Sequence, residues 1–383
     1  MKTYGKNIFY VLMLLLCMAS CRTIQEPINE MVVNYIECID KSSLLDSTRV
    51  VKPSSMDSES IIGNVWRILA SNDRIFIVDR KNNKLLCYDN DGNFIKSTES
   101  LIGKGKDEYI RIFDAAIDPN EGVLYVYFDA PYRMMTFDMN LNRINTYQLN
   151  EYYFEIAISG NSLYALCLSS DDNGMELRRF DKHNPCGEYQ VLLTQNEFIK
   201  GIWGLGKWMT SDDKNCWVAL PFSNKIYSIR DTKILSENSI NFGDRWFDYG
   251  ESKNLNLNSF FNYNDNKIWM IYNIVASDSL LLFNTNEAGL VSAVKETRRA
   301  ILSLELHDEE FPLVSSLIYP VGGLSNTVAM VVSPSLIKHY KEGAQKRNYK
   351  IELANKRNEQ IINEYQESDN PLIVISKIKH SLP

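Results

Sequence analysis

Apolar residues fall in short runs that alternate with clusters of Asn, Asp, Gly and Lys, and the runs come in pairs. Asp73–Asp79 is apolar on both faces, as a strand with neighbours on either side requires. Lys81-Asn82-Asn83-Lys84 has turn chemistry, and Leu85–Asp89 follows as a second strand. Asn90-Asp91-Gly92-Asn93 predicts a tight hairpin turn with glycine at its special position, and Phe94-Ile95-Lys96 opens a third strand.

The same module returns. Gly122–Tyr127 pairs with Met135–Asp138, and Met139–Asn142 supplies the turn after it. Asn161–Leu166 pairs with Leu177–Asp181, Cys216–Ala219 with Lys225–Ile229, and Asn266–Ile271 with Leu280–Phe283. A degenerate sixth copy is Thr327–Val332. The first-strand aromatics Phe76, Tyr125, Tyr164, Trp217 and Trp269 are spaced 49, 39, 53 and 52 residues apart, with about sixty more to Ala329. That period holds several short strands, which is the size of a propeller blade. A pair of β-sandwiches built from similar hairpins is the competing architecture.

The expectation is therefore an all-β chain, a six-bladed β-propeller with a short C-terminal helical insertion in the last blade. Blades are expected near 61–100, 110–150, 152–194, 202–243, 257–295 and 314–383, with an N-terminal strand contributing to the last. Residues 341–369 crowd charged side chains, with Leu353, Ile361 and Tyr365 at multiples of four, so a surface helix is expected from about Leu353 to Glu367. Asp369-Asn370-Pro371 stops it. Leu372–Ile378 reads as the closing strand, paired near Met31-Val32-Val33 or Arg49-Val50-Val51 so that no edge is left open.

The first residues predict where the chain is sent. Lys2 and Lys6 precede an apolar run from Ile8 to Met18, too short to span a bilayer, and Ala19-Ser20 leads to Cys21. This resembles the lipobox of bacterial lipoproteins, which implies that Cys21 is diacylated and becomes the new N-terminus. The expected division is a signal peptide at 1–20, a tether at 21–30 and a propeller at 31–383. The expected location is the bacterial cell envelope, lipid-anchored, with the outer membrane the anticipated one.

Charge narrows the partners. Formal net charge is −7, and losing Lys2 and Lys6 makes the remainder more acidic still, so nucleic acid is not an expected partner. Seven cysteines include Cys17 and Cys21; the other five (Cys38, Cys87, Cys167, Cys186, Cys216) are odd in number and lack metal or redox spacing. Buried thiols are expected for most of them.

Three passages carry a wider likeness: Ile61–Ile68 with the strand and turn that follow it, Ile102–Tyr109 leading into Phe113–Asp118, and Asp369–Val374. On these the chain resembles the six-bladed β-propeller lipoproteins of Bacteroidetes, distant relatives of NHL-repeat propellers. Members commonly show G-x-G-P-G-E-[FY]; this chain keeps Gly103, Gly105, Glu108 and Tyr109 but has Lys106-Asp107 for Pro-Gly. The likeness implies the fold and says little about activity.

Catalytic motifs are sparse. Gly103-Lys104-Gly105 lacks the ending of a phosphate loop and is read as a connector. His183, His307, His339 and His380 show no ligand spacing. Sugar-lactonase propellers, a more distant resemblance, hold a divalent ion on oxygen ligands, for which Glu108, Asp114 and Asp248 are the candidates here. No cofactor or metal is expected. Trp203, Trp208, Trp246 and Tyr249 fall in two connector-like stretches and are the candidate ligand-binding residues, suited to stacking on a ring or to a protein hot spot. The leading expectation is a non-enzymatic module that binds a protein, peptide or glycan. A metal-dependent hydrolase or lyase and a structural subunit of an envelope complex are the alternatives.

Overall fold

The computed structural model describes residues 29–170, 174–196, 206–247, 249, 260, 267–287, 289–308, 311–353 and 355–379. The chain opens with β1 (Asn29–Asp40), a single helical turn α1 (Lys41–Leu44) and β2 (Leu45–Val51). Antiparallel meanders of consecutive strands follow. They are β3 to β6 (Arg67–Ala70, Arg74–Asp79, Lys84–Asp89, Phe94–Ser97) and β7 to β10 (Arg111–Asp118, Val123–Ala130, Tyr132–Asp138, Arg143–Gln148). Then come β11 to β14 (Glu155–Ser159, Ser162–Leu168, Met175–Asp181, Tyr189–Gln195) and β15 to β18 (Met209–Ser211, Cys216–Val218, Lys225–Arg230, Lys233–Asn241). The next is β19 to β22 (Ile271–Ala276, Leu280–Thr285, Leu290–Val294, Arg299–His307). The last sheet takes β23 (Tyr319–Gly322), β24 (Thr327–Val332) and β25 (Leu372–Ile378) and adds β2 beside β25.

Turn chemistry explains the local regularity. Asp89 Oδ1 accepts from the Asp91 and Asn93 amides, each at 2.9 Å, and Gly92 takes φ +91°. Asp138 repeats the device, accepting from Asn140 at 2.9 Å and Asn142 at 2.8 Å, with Leu141 at φ +57° where the first turn has its glycine. The repeated Asp-x-x-x-Asn spacing sets both hairpins.

Each meander packs its apolar face on the next. Phe76, Val78 and Cys87 meet Ile112, Leu124 and Phe137; Tyr125 and Met134 meet Ile156, Leu163 and Phe180. The series continues through Tyr164 and Leu177 onto Cys216 and Ile229, then Ile226 and Ile240 onto Ile271 and Phe283. Leu280 and Leu290 pack on Val328 and Leu372, and Ile373 and Ile375 return to Ile68, Ile75 and Leu86 of the first meander. The packing is cyclic, and β23 also pairs in parallel with β3 (Val321 opposite Ile68).

The two proposed partners of the closing strand separate here. Arg49-Val50-Val51 is the pair of β25, with Val50 opposite Val374. Met31-Val32-Val33 goes elsewhere: β1 runs parallel to β18 on one side and β22 on the other (Met31 opposite Ile240, Tyr35 opposite Leu302) and joins two meanders into one nine-stranded sheet. Its alternation fits the role, since Met31 and Val33 are buried and Val32 is half in solvent.

Two further expectations shift. Asn266–Ile271 was expected as a strand equivalent to Asp73–Asp79, but β19 begins only at Ile271 and is the first strand of its meander, not the second. Trp269 lies just before it, packed flat on Phe222 at 5.7 Å between ring centroids, so its apolarity serves an inter-sheet core and not a strand period. The helix expected from about Leu353 to Glu367 is shorter, α3 (Lys356–Glu364), capped by Asn355. It is preceded by α2 (Pro334–Lys346), and both lie between β24 and β25. Ser333 accepts from the Leu336 amide and Pro334 occupies the first turn, a Ser-Pro start that was legible in the sequence. Cys87, Cys167 and Cys216 are buried free thiols, whereas Cys38 and Cys186 are exposed.

Candidate functional site

The first strands of the meanders bring charged residues from distant parts of the sequence into one buried cluster. Arg67 opens β3, Asp114 lies in β7, Glu155 opens β11, and Lys207 sits just before β15. Asp114 accepts from Arg67 Nη1 at 2.9 Å, Lys207 Nζ at 2.8 Å and the Ile156 amide at 3.0 Å. Arg67 also donates to the carbonyls of Ala115 (2.8 Å), Ile156 (2.7 Å) and Met209 (3.0 Å). Glu155 accepts from the amides of Trp208 (3.0 Å) and Met209 (2.9 Å). Four meanders are thus joined through buried side chains.

Electrostatics follow from this burial. Burial pushes Asp114 up, but Arg67 and Lys207 outweigh it and hold the carboxyl below its usual range. Glu155 is raised, because burial dominates there over the pull of Lys207 and Arg67. Burial brings Lys207 down to about 7, with Asp114 and Glu155 opposing the shift and Arg67 and Arg80 adding to it. Between pH 7 and the unfolded value of 10.5, the unfolded chain holds a proton that the folded chain has released. This group therefore makes stability rise with pH, by up to about 1.4 kcal/mol per unit. Lys207→Met is expected to flatten that slope in urea unfolding at pH 7, 8 and 9; an unchanged slope would mean that Asp114 keeps the lysine protonated.

Beside the cluster opens a cavity of about 480 Å³. Its apolar wall is Trp66, Ile112, Phe113, Tyr152, Phe154 and Trp208; Arg80, Arg111, Asp129 and Glu155 supply the polar part, and Gly206 completes it. Gly206 is dictated by space, since a Cβ there would collide with the Tyr272 ring. The Arg80 guanidinium is held between two rings, 3.4 Å from the Trp66 centroid and 3.8 Å from that of Phe113. Its Nε donates to the Phe113 carbonyl at 2.6 Å, while Nη2 is buried without a partner. Trp66 Nε1 is likewise buried and unpartnered. Burial lowers Arg80 to about 10, which leaves it cationic at neutral pH. Arg111, by contrast, binds Asp129 through two hydrogen bonds of 2.6 Å.

The residues singled out in the sequence are scattered by the fold. Trp208 lines the cavity but is buried, with Nε1 directed at Met270 Sδ (2.8 Å). Trp246 is half-buried and stacks on Phe242 at 5.6 Å, in the core between β18 and β19. Tyr249 packs on Phe222 at 5.6 Å. Trp203 and Asp248 lie outside the described residues, as does Cys21. Glu108 closes its own glycine loop by accepting from the Gly105 amide at 2.7 Å. Asp114 is committed to two cations, and no group of three or more His, Cys, Asp or Glu side chains gathers as metal ligands among the described residues.

Sequence reasoning missed Trp66, Arg80, Phe113, Tyr152 and Phe154 as a set. A signal was present: Trp66-Arg67, Phe113-Asp114 and Phe154-Glu155 each place an aromatic directly before a charged residue of a first strand. The charged member enters the buried cluster and the aromatic member lines the cavity.

Comparison with known proteins places this arrangement. No curated protein matches the chain. Among solved structures it is similar to a Bacteroides fragilis protein named as a candidate for export, at 13% identity over 91% of this chain and 99% of the other, with a TM-score of 0.69. It is more remotely similar to BamB from Moraxella catarrhalis (11% identity, 76% and 75% covered, TM-score 0.38). A third similarity is to the β-propeller domain of Cps50 (Swd1) from Myceliophteria thermophila (8% identity, 65% and 68% covered, TM-score 0.39). The first likeness concerns the fold alone. One sequence family matches from within β1 to within β25, taking in every meander and the cavity: over residues 36–377 the chain belongs to the family described as a domain of unknown function, DUF4934.

Proposed function

We propose that this chain is an exported six-bladed β-propeller that works as a non-enzymatic binding module, taking a small ligand into the cavity lined by Trp66, Arg80 and Tyr152. Six four-stranded meanders packed in a cycle support the blade count, with β2 completing the last blade and α2 and α3 inserted within it. The observation that carries the binding reading is the cavity itself. Its volume lies within the roughly 300–1,000 Å³ of small-molecule sites, its walls are largely aromatic, and Arg80 lines it with no carboxylate at ion-pair distance among the described residues. A reactive nucleophile–base pair is not part of that lining.

The test is a ligand-observed NMR screen of a metabolite library, with quenching of Trp66 and Trp208 fluorescence as the second readout. Tyr152 packs edge-on against Phe113 and Phe154 at 5.1 and 5.0 Å. Tyr152→Ala is expected to weaken cavity ligands about tenfold or more. Hits indifferent to Tyr152→Ala would place binding elsewhere and remove the proposal.

The same reading includes a signal peptide at 1–20, a tether at 21–30 and an acylated Cys21 that holds the propeller at the envelope. Two acyl chains bind durably, at ~0.8 kcal/mol per buried CH₂. Cys21→Ala is expected to move the protein from the membrane fraction to the soluble one or to leave uncleaved precursor. Normal processing and unchanged membrane fractionation of that variant would rule the anchor out.

A further inference from the structure

We infer that the ligand of this cavity is a small aromatic carboxylate whose anionic group pairs with Arg80, an inference that rests on the binding reading and adds the ligand's chemical class. Charge supplies the first argument. The protein as a whole is acidic, at −7, yet the cavity and its floor gather Arg67, Arg80, Arg111 and Lys207. Against them stand Asp114, Asp129 and Glu155, and the pairing among these groups decides which cation is left over. Asp129 is taken up by Arg111, and Asp114 by Arg67 and Lys207. Arg80 lines the cavity and is left with no carboxylate at ion-pair distance among the described residues. A buried guanidinium held by two rings and one carbonyl is short of a counter-charge, and an anion is the group that supplies it.

The acceptors in the wall decide the rest of the ligand. A sugar needs acceptors and donors spread around its ring for its hydroxyls. Here both oxygens of Asp129 accept from Arg111, and both oxygens of Glu155 accept from backbone amides. Arg80 is the cation of the wall that no carboxylate pairs with among the described residues, so a carboxylate gains an ion pair there that a neutral polyol does not. The other surfaces are the faces and edges of Trp66, Phe113, Tyr152, Phe154 and Trp208, which suit a flat apolar ring. The glycan partner considered from sequence is therefore disfavoured at this cavity.

Matched probes test this without a variant. Indole-3-acetate and phenylacetate are titrated beside indole-3-acetamide and phenylacetamide, which keep the ring and lose the charge, and beside glucuronate, which keeps the charge and loses the flat ring. The acids are expected to bind at least about tenfold tighter than their amides, and glucuronate to bind more weakly than either acid. Arg80→Met is expected to bring the acids to the affinity of the amides. Arg80→Lys, which keeps a charge but not the planar donor set, should recover part of the difference. Equal binding of acid and amide to the unaltered protein would overturn the inference, and so would a preference for glucuronate. If the aromatic acids fail while the wider screen yields ligands sensitive to Tyr152→Ala, the ligand class is wrong and the binding module stands. If neither gives a ligand, both readings fall.

Discussion

Removal of residues 370–383 is expected to abolish cooperative folding. β25 is an interior strand of its sheet, hydrogen-bonded to β24 on one side and β2 on the other, with Val374 opposite both Met330 and Val50. Its loss strips backbone partners from two strands and leaves β2, the N-terminal contribution, with nothing to pair with. Leu372, Ile373, Val374, Ile375 and Ile378 are buried, and each such side chain stabilises by roughly 1.5–3 kcal/mol. Their sum is comparable with the whole stability of a typical domain, about 5–15 kcal/mol. Asn370 goes too: its side chain donates to the carbonyls of Ser54 (2.6 Å) and Ser60 (2.9 Å) and accepts from the Ile62 amide (2.8 Å). The truncated protein should lose its sharp thermal transition and aggregate. A truncated chain that melts as sharply and at the same temperature as the full one would refute closure through this sheet.

Asp114→Asn is expected to cost about 3–5 kcal/mol, the largest effect of any single side-chain change considered. The amide fills the same volume, so packing is kept and the change isolates charge. Arg67 then sits buried without the carboxylate it shared with Lys207, while it still has its three carbonyl acceptors. Urea unfolding at pH 7 measures the loss. Adding Lys207→Met to Asp114→Asn removes the second basic group of the cluster and should recover part of it, giving a coupling energy of about 1 kcal/mol or more. A single-variant loss under about 1 kcal/mol would show that the cluster is hydrated or otherwise neutralised.

Much of the strand pattern was legible because its causes are local. Doubly apolar runs such as Arg74–Asp79 and turns such as Asp89–Asn93 draw on neighbours within a few residues, and they stand close to where the sequence puts them. The misplacement near Trp269 shows the limit of that reasoning. Three aromatics near one another in sequence, Trp246, Phe247 and Tyr249, serve inter-sheet cores, and a hydrophobicity pattern does not say which side of a sheet boundary a ring will fill. The helix at Pro334 begins before the charged stretch, and its only local mark is the Ser-Pro start.

The cavity was not legible as a site. Its members come from Trp66 to Trp208, and the separations in the ion cluster beside it, 47 residues from Arg67 to Asp114 and 93 from Asp114 to Lys207, leave no motif. By itself the sequence determined a β-rich chain of repeated hairpins, an acidic body and the repeat length that sets strand count per unit. Only the tertiary structure decided that β1 joins β18 to β22 while β2 closes the last sheet, since each carries a short apolar run and edge pairing depends on which edge is within reach. It alone decided which charges meet. Cyclic packing brings the heads of the first strands together at a common centre, and burial there turns ordinary Arg, Asp, Glu and Lys side chains into a coupled cluster with an aromatic cavity at its side.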